Sequence, residues 1–295
     1  MRRRRTTTLV SLALAGLLTA VIAVPAIAAR DERQAAVPRI VFPLVAKTVL
    51  WDNYGDARGN GRHAGIDMEN PWRAPVVAAE AGRVEYAVSG LGGCMLYLYG
   101  RSGTMYLYIH LNNDVGPGND NTGRCVFGTA YAVRNSSSVL AGQQIAFNGD
   151  SGDANGNPHL HFEVHPRGGA DVNPFPYLKR ATKQLFAARE GTAFSLALRG
   201  SVLAAGAGAL RLSVTSVRSY PGGRWLEIDP RAVDIGVLAD AAGGQLAGII
   251  GSQPFSPLKT QSRVAVYTTK ATVTRGALIG SPGALTASRV SPLAP

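Results

Sequence analysis

The chain has 295 residues, of which 46% are hydrophobic and 17% charged, with a formal net charge of +11. At roughly 150 residues per domain, this length predicts two domains. The basic balance favours encounter with anionic polymers or membrane surfaces and carries no information about the fold. We expect no nucleic-acid partner, because the chain opens with an export-type segment and has no stripe of basic and aromatic residues.

Residues 1–29 have the three parts of a signal peptide. Four arginines (Arg2 to Arg5) precede a mostly apolar stretch from Leu9 to Val24, and Ala26-Ile27-Ala28 forms a small-residue cleavage site. The alternative is a membrane anchor, although the apolar stretch is short of the roughly twenty residues that span a bilayer. We therefore expect an exported protein that is secreted, periplasmic or cell-wall-associated, with residues 30–46 as a linker.

Residues 47–180 form the first predicted domain. Short runs rich in β-branched and aromatic residues alternate there with glycine-containing turns, which predicts antiparallel strands. The polar segment Asn112 to Ser138 is too long for an ordinary hairpin loop, so it is either a wall of a substrate cleft or a solvated insertion. Export lets a disulfide between Cys94 and Cys125 persist, and such a bridge would enclose His110.

The pattern changes after Leu178. Residues 181–191 suit a helical linker, and residues 192–280 contain runs that alternate apolar and polar side chains, which predicts a second, smaller β-rich domain. Residues 281–295 contain three prolines and are expected to form a flexible tail. Wall attachment, docking of a protein partner and control of access to a groove all stay open as roles for this second domain.

The chain has only five histidines, and three of them fall in two short motifs. In the segment from Asn157 to His165 polar and apolar residues alternate, so a strand would point Leu160, Phe162 and Val164 toward a core. The opposite face would carry His159, His161, Glu163 and His165. Glu163 is either a carboxylate that supports His161 or a solvated surface residue, and His165 is expected to lie outside the site.

A second strand-like run carries His110. By the same alternation Tyr106, Tyr108 and His110 share one face, and Leu107, Ile109 and Leu111 face the core. In the remaining motif, His63 and Asp67 stand four residues apart, and Gly65 between them permits a bend that lets both side chains reach one ion. Two histidines and one aspartate with a fourth position left open make a zinc site of the catalytic kind.

Taken together, the motifs resemble those of the lysostaphin/LytM-type zinc peptidases, which cut peptidoglycan peptides. The matching segments are His63 to Asp67, Ala74 to Ala78 with Gly82 to Val84, Tyr108 to Leu111, Gly142 to Ile145, and Pro158 to Glu163. The resemblance covers roughly residues 47 to 180. Two segments depart from the family pattern: the long insertion Asn112 to Ser138 and the glycine-rich sequence Asn148 to Asp153. These departures leave the expected site residues unchanged and bear on the shape of the cleft.

The resemblance implies an all-β fold of opposed antiparallel sheets, the duplicated hybrid motif, with the site in a groove between loops. It also implies Zn²⁺ held by His63, Asp67 and His161, with His110 and His159 assisting catalysis. The expected activity is metalloendopeptidase cleavage of peptidoglycan stem or cross-link peptides. The alternative is a non-catalytic protein that binds the wall or activates another hydrolase and retains the site. The second domain is a candidate for contact with the wall or with a protein partner.

Overall fold

The computed structural model describes residues 37–59, 61–116, 118–187, 192–206, 208–237, 261–272 and 285–294. The predicted signal segment lies outside these ranges. Among the described residues, no helix combines the length and apolar character that crossing a membrane requires. The regular secondary structure of the described chain is almost wholly β-strand, arranged in several mostly antiparallel sheets, as the sequence predicts.

The first unit is built from ten strands. They are β1 (Ala57–Arg58), β2 (Gly61–Arg62), β3 (Ile66–Glu69), β4 (Pro75–Val77), β5 (Gly82–Ser89), β6 (Gly93–Gly100), β7 (Met105–Leu111), β8 (Ser138–Val139), β9 (Gln144–Phe147) and β10 (His159–His165). Six of them form one sheet in the order β3-β10-β7-β6-β5-β8, and the pairs β1-β2 and β4-β9 form two small sheets. The order places β3, β10 and β7 side by side, so the strand that carries Asp67 and the two strands that carry histidines meet on one sheet.

The core of the first unit explains the face that the site occupies. Leu160, Phe162 and Val164 of β10 are fully buried in the main hydrophobic cluster, together with Ile66 and Met68 of β3. Because successive side chains on a strand point to opposite faces, the histidines of β10 and Asp67 of β3 lie on the other face of the sheet. The predicted alternation of β10 is therefore confirmed.

The second unit is a closed five-stranded barrel. Its strands are β12 (Leu196–Gly206), β13 (Ala209–Ser219), β14 (Leu226–Val237), β15 (Arg263–Thr268) and β17 (Thr286–Pro292), in the order β12-β13-β14-β17-β15. The short strands β11 (Ala193–Phe194) and β16 (Ala271–Thr272) pair beside it. Inward residues such as Leu198, Leu212 and Val266 are fully buried in a second hydrophobic cluster, so the barrel has its own core.

Three segments differ from the sequence expectation. Residues 37–46 lie within the expected linker, yet Ile40, Phe42 and Leu44 are buried in the core of the first unit, because their apolar side chains pack against its sheets. The helix of this region is α1 (Phe175–Arg180), and the described residues 181–187 that follow it are not helical. Within the expected tail, Thr286–Pro292 is the strand that completes the barrel.

The two units touch along the start of β14. Val41, Val45, Val77 and Ala187 form a small apolar cluster against which Leu226 packs. The backbone N–H of Lys47 donates to the carbonyl of Glu227 at 2.7 Å, and the Arg224 guanidinium donates to the carbonyl of Trp72 at 3.1 Å. The barrel therefore lies directly against the unit that carries the site.

Candidate metal centre

Three ligand-type atoms converge where β3 and β10 pair. The antiparallel register sets His161 opposite Asp67, and His63 lies just before β3. His63 Nε2 and His161 Nδ1 are 2.9 Å apart, and each lies within 3.0 Å of Asp67 Oδ1. The structure thus brings together the three residues that the sequence predicts as ligands, and they form a group that could hold a metal ion.

Gly65 was expected to permit a bend in the backbone, and the structure shows that there is also no room for a side chain at this position. A Cβ atom at this position would lie 2.6 Å from the carbonyl oxygen of Phe162 and 2.7 Å from His161 Nε2. Real Cβ atoms essentially never come this close to other atoms. Glycine is therefore needed because the loop before β3 passes directly over β10, and this close approach carries His63 to its partners.

In each of the two ligand histidines, the ring nitrogen that faces away from the ligand group makes a hydrogen bond. His63 Nδ1 lies 2.7 Å from the carbonyl oxygen of Asn53, and His161 Nε2 lies 3.0 Å from Glu163 Oε1. A carbonyl and a carboxylate only accept, so these ring nitrogens carry the protons and donate. When both rings are neutral, as metal binding requires, the lone pairs of His63 Nε2 and His161 Nδ1 therefore lie beside Asp67 Oδ1, and the carbonyl and carboxylate behind the rings hold them in this orientation.

The two oxygens of Asp67 have separate surroundings. Oδ1 faces the two imidazoles, while Oδ2 accepts from the Arg58 guanidinium at 2.6 Å and from the Asn53 side-chain amide at 3.5 Å. Burial by itself would raise the pKa of Asp67, but hydrogen bonds from His161 and His63 outweigh it and hold the pKa well below its usual range. Asp67 is therefore ionised and keeps one oxygen directed at the two histidines.

These donor atoms suit zinc. Zinc bonds to nitrogen and oxygen of about 2.0–2.2 Å, arranged tetrahedrally, place ligand atoms roughly 3.3–3.5 Å apart. The three separations seen here are 2.9–3.0 Å, so the side chains need to spread by only about half an ångström. Two neutral imidazoles and one carboxylate would leave a zinc site with a net positive charge and an open position, the pattern of catalytic rather than structural sites.

His110 reaches the groove by an irregularity in β7. The backbone of His110 has φ = 61°, and two residues of β7 there face one residue of β6. Such a bulge reverses the alternation of faces. Tyr106 and Tyr108 are consequently buried in the core, and Ile109 lines the groove. The predicted faces of these three residues are wrong, whereas His110 lies on the groove side as predicted.

The left-handed conformation of His110 is held by its surroundings. A non-glycine residue in this region costs on the order of 1–3 kcal/mol and persists only where neighbours over-determine it. The His110 N–H donates to the Gly92 carbonyl, the Gly149 N–H donates to the His110 carbonyl, and His110 Nδ1 lies 2.9 Å from the Ser151 carbonyl oxygen. Because that carbonyl only accepts, Nδ1 carries the proton and Nε2 of the neutral ring has the free lone pair.

His110 and His159 stand side by side next to the ligand group. Their ring centroids are 4.8 Å apart, and His159 Nε2 lies 3.7 Å from Asp67 Oδ1. His159 Nδ1 lies 2.8 Å from the Asn157 carbonyl oxygen, which leaves its Nε2 free in the neutral form. Burial, and next the charge of His159, lower the pKa of His110 to about 4, so His110 is a neutral proton acceptor near pH 7.

Glu163 and His165 extend the site behind His161. Glu163 is buried; its Oε1 accepts from His161, and its Oε2 lies 2.6 Å from His165 Nε2. Burial would raise the pKa of Glu163, but hydrogen bonds from His161 and His165 lower it to about 2. Of the alternatives for Glu163, the structure supports the carboxylate that orients His161. His165 was expected outside the site, but it contacts the site through Glu163. The sequence alternation had placed Glu163 and His165 on the same face as His161, and that pattern could have indicated both contacts.

A groove runs over the ligand group and is open to solvent. Its lining includes three groups of neighbouring residues outside the ligand group: Trp51, Arg58 and Arg62; Leu91, Gly92 and Met95; and Asp153, Asn155 and Asn157. The described residues of the segment Asn112 to Ser138 do not line it. Asn119 of that segment instead donates to Asp150 at 2.8 Å, so the segment supports the turn that carries Asp153 and Asn155.

The structure contains the Cys94–Cys125 disulfide, with Cα atoms 5.1 Å apart. Cys94 is fully buried, and its backbone N–H donates to the Ser151 hydroxyl at 2.8 Å. Ser151 is also the residue whose carbonyl accepts from His110. The bridge therefore ties the polar segment to the strand and turn that hold His110.

No family model matches the chain. Among curated proteins, an uncharacterized metalloprotease of Haemophilus influenzae is 32% identical over 114 residues, which are 38% of this chain and 20% of that protein. The lipoprotein YgeR of Escherichia coli is 30% identical over 149 residues, 48% of this chain and 52% of that protein. The murein hydrolase activator NlpD of Salmonella dublin is 31% identical over 127 residues, 43% of this chain and 28% of NlpD. The chain thus spans about half or less of the length of these relatives.

The comparison with solved structures finds similarities that each cover part of the chain. The catalytic domain of lysostaphin from Staphylococcus simulans is 26% identical, with 45% of this chain and 92% of that domain covered and a TM-score of 0.34. A putative glycyl-glycine endopeptidase LytM of Ruminococcus gnavus is 20% identical, with 52% and 66% covered and a TM-score of 0.39. The chain resembles the lysostaphin/LytM-type peptidases. The resemblance inferred from the sequence motifs is confirmed.

Proposed function

We propose that this LytM-type protein is an exported zinc metalloendopeptidase that hydrolyses peptide bonds in peptidoglycan stem or cross-link peptides. One observation carries the proposal: the ligand-type atoms His63 Nε2, His161 Nδ1 and Asp67 Oδ1 converge beside two further imidazoles in an open groove. A relative named as a metalloprotease and relatives named as murein hydrolase activators support action on the cell wall. The export-type segment and a lipoprotein relative support a place in the cell envelope.

His63, Asp67 and His161 would hold the ion, which when bound supplies Lewis-acid polarisation of the scissile carbonyl and lowers the pKa of a water molecule. His110, neutral near pH 7 with Nε2 free, would take the proton from the attacking water as general base. That proton, now on His110 Nε2, would then pass to the leaving amine, while a protonated His159, whose Nε2 lies 3.7 Å from Asp67 Oδ1, would donate to the developing oxyanion. The carbonyls of Ser151 and Asn157 accept from Nδ1 of the two rings, which keeps both Nε2 atoms available for these proton transfers.

Two histidine variants test this assignment. His161→Ala removes a ligand and should abolish both zinc binding and peptide release from purified cell wall. His110→Ala leaves the three ligands in place, so it should keep one zinc per chain while losing about 10²–10⁴-fold in rate, the usual contribution of a general base. Zinc content is measured on purified protein, and released peptides are identified by mass spectrometry, which also names the bond cut.

Val115→Ala is the control, because Val115 is 73% exposed in the polar segment and outside the groove. It should match the wild type in both assays. Full activity of the His110→Ala variant would show that another group takes the proton and would contradict the assignment.

A second candidate function is activation of another wall hydrolase. It is favoured by the similarity to NlpD, which is named as a murein hydrolase activator. In that case zinc-loaded protein would release no wall peptides alone, yet would speed peptide or glycan release by an added hydrolase, and His110→Ala would keep that stimulation. Release of peptides by the protein alone, abolished by a chelator, would exclude this second function.

A further inference from the structure

On the outer surface of the barrel, six side chains that are either arginine or aromatic form one group. Three are arginines and three are aromatic residues, and we call them the arginine-aromatic cluster. Its members are Arg199, Arg218, Tyr220, Trp225, Tyr267 and Arg289. Arg199, Arg289 and Tyr220 are exposed, and the other three are half-buried. None of these residues takes part in the candidate metal centre.

Strand register explains how the cluster assembles. Ala197 of β12 is paired with Arg218 of β13 on one side and with Tyr267 of β15 on the other, and Tyr267 is paired with Arg289 of β17. Paired residues on neighbouring strands point to the same face. The register therefore sets Arg218, Ala197, Tyr267 and Arg289 in one row across four strands of the barrel.

The rings and guanidiniums are stacked on one another. The guanidinium carbons of Arg199 and Arg218 lie 4.1 and 4.8 Å from the centroid of the Trp225 ring, and that of Arg289 lies 3.9 Å from the Tyr267 ring. Tyr220 meets the edge of Tyr267 at 5.0 Å. Stacking on aromatic rings leaves the N–H groups of arginine at the ring edge free to bind a planar anion.

Within the described residues no carboxylate pairs with these arginines. The three acidic residues of the described barrel have other partners: Glu227 accepts from Ser216, Asp229 pairs with Lys183, and Asp234 pairs with Arg211. In addition, Nε of Arg218 is buried and has no hydrogen-bond partner. Arg199 and Arg218 place two positive charges next to the Trp225 ring, and an anion bound beside that ring would offset part of their mutual repulsion.

We propose that the arginine-aromatic cluster is a binding surface for an acidic polysaccharide. Guanidiniums pair bidentately with carboxylates, and this fork geometry suits the acidic groups of such a polymer. Trp225, Tyr220 and Tyr267 present apolar ring faces beside those charges, and sugar rings offer apolar C–H faces of matching size. A single surface with both chemistries fits a chain of acidic sugars better than a purely ionic or purely apolar partner.

The position of the cluster joins this binding to the first unit. Arg224 and Glu227, on either side of Trp225 and Leu226, both contact the first unit, through Trp72 and Lys47. A polysaccharide held at Trp225 therefore lies at the border between the two units. The surface would keep the protein on an acidic glycan without occupying the groove.

The test uses the full chain and polygalacturonate, a soluble acidic polysaccharide, with dextran as the neutral counterpart. The variant Arg199→Gln/Arg218→Gln/Arg289→Gln removes three charges from the cluster. Its matched control, Arg101→Gln/Arg124→Gln/Arg263→Gln, removes three charges from exposed positions outside it. We expect the wild type and the control to bind polygalacturonate and not dextran, and the cluster variant to bind at least about tenfold more weakly, as expected on losing charge-assisted contacts.

A second variant, Trp225→Leu, keeps the charges and removes the ring, and it should also weaken binding. Five-stranded Greek-key barrels called OB-folds bind oligosaccharides or oligonucleotides, so a thymidine oligonucleotide of equal charge is included. Tighter binding of the oligonucleotide than of polygalacturonate, or equal losses in the cluster variant and its control, would overturn the proposal. Zinc content and hydrolysis of a soluble peptide stay unchanged in the cluster variant, so failure here is distinct from failure of the peptidase assignment.

Discussion

His161 lies between two carboxylates, Asp67 at Nδ1 and Glu163 at Nε2. Burial would lower the pKa of His161, but the hydrogen bonds to Asp67 and Glu163 raise it to about 9 in the metal-free protein. Glu163 in turn bonds to His165, whose Nδ1 lies 2.9 Å from the Gly169 carbonyl oxygen. This series of hydrogen bonds fixes the orientation of the His161 ring, so residues outside the ligand set determine how well the site receives an ion.

Glu163→Gln should lower zinc affinity by about 10–100-fold, the usual effect of losing a partner behind a metal ligand. The amide keeps the shape of Glu163 but removes the negative charge, and that charge makes His161 a stronger zinc ligand. The measurement is competition with a chromogenic chelator, together with peptide release at saturating zinc. We expect the rate at saturation to change much less than the affinity.

His165→Asn is the comparison for that variant, since it keeps a donor near Glu163 and leaves the bond between Glu163 and His161 intact. It should lower zinc affinity by less than Glu163→Gln does. Equal zinc affinities for the Glu163→Gln variant and the wild type would show that Glu163 does not position His161.

Single residues also mark where sequence reasoning succeeds and where it stops. The alternation from His159 to His165 is regular, so the faces of β10 could be predicted. The run from Tyr106 to His110 has the same appearance, but the bulge at His110 exchanges its faces. That bulge depends on contacts with Gly92, Gly149 and Ser151, which are distant in the sequence and invisible to a local pattern.

At the scale of elements, the Cys94–Cys125 bridge joins the sheet to the polar segment that follows β7. The cysteines are 31 residues apart, and closing a loop of that length in the unfolded chain stabilises the fold by about 3–4 kcal/mol in the chain-entropy model. Cys94→Ala/Cys125→Ala should therefore lower the free energy of unfolding by about that amount. Alanine is chosen because Cys94 is fully buried, where a serine hydroxyl would need a partner.

Chemical denaturation measures this difference, and wild-type protein treated with a reducing agent provides the control. Reduction should reproduce most of the loss seen in the double variant. A double variant as stable as the oxidised wild type would show that the bridge does not stabilise the fold.

Elements differ in how far the sequence predicts them. Strands β4 to β7 follow from runs of β-branched and aromatic residues between turns, and β10 follows from its alternation of polar and apolar residues. Closure of the barrel does not, because β14 pairs in parallel with β17, and residues 238–285 separate the two strands in the chain. Thr286–Pro292 ends in a proline and lies in a proline-containing stretch, which is typical of an irregular tail, and only its partners on both sides make it a strand.

At the scale of the whole molecule, the metal centre and the barrel have separate cores and meet at a small border. The main core of the first unit contains no barrel residue, and every residue of the candidate metal centre belongs to the first unit. Deleting residues 192–295 should therefore leave zinc binding and hydrolysis of a soluble peptide intact. The deletion should also abolish binding to polygalacturonate, since the arginine-aromatic cluster is removed with the barrel.

The same deletion uncovers Val41, Val45, Val77 and Ala187, which pack with Leu226 in the complete chain. Partial exposure of these side chains should lower the free energy of unfolding of the first unit by about 1–3 kcal/mol. The full chain with Leu226→Ala loses this contact, together with the packing of Leu226 against the barrel core, and keeps the arginine-aromatic cluster. We expect it to be less stable than the wild type yet to bind polygalacturonate equally well. Loss of zinc from the truncated protein under native conditions would instead show that the barrel is needed to hold the metal centre together.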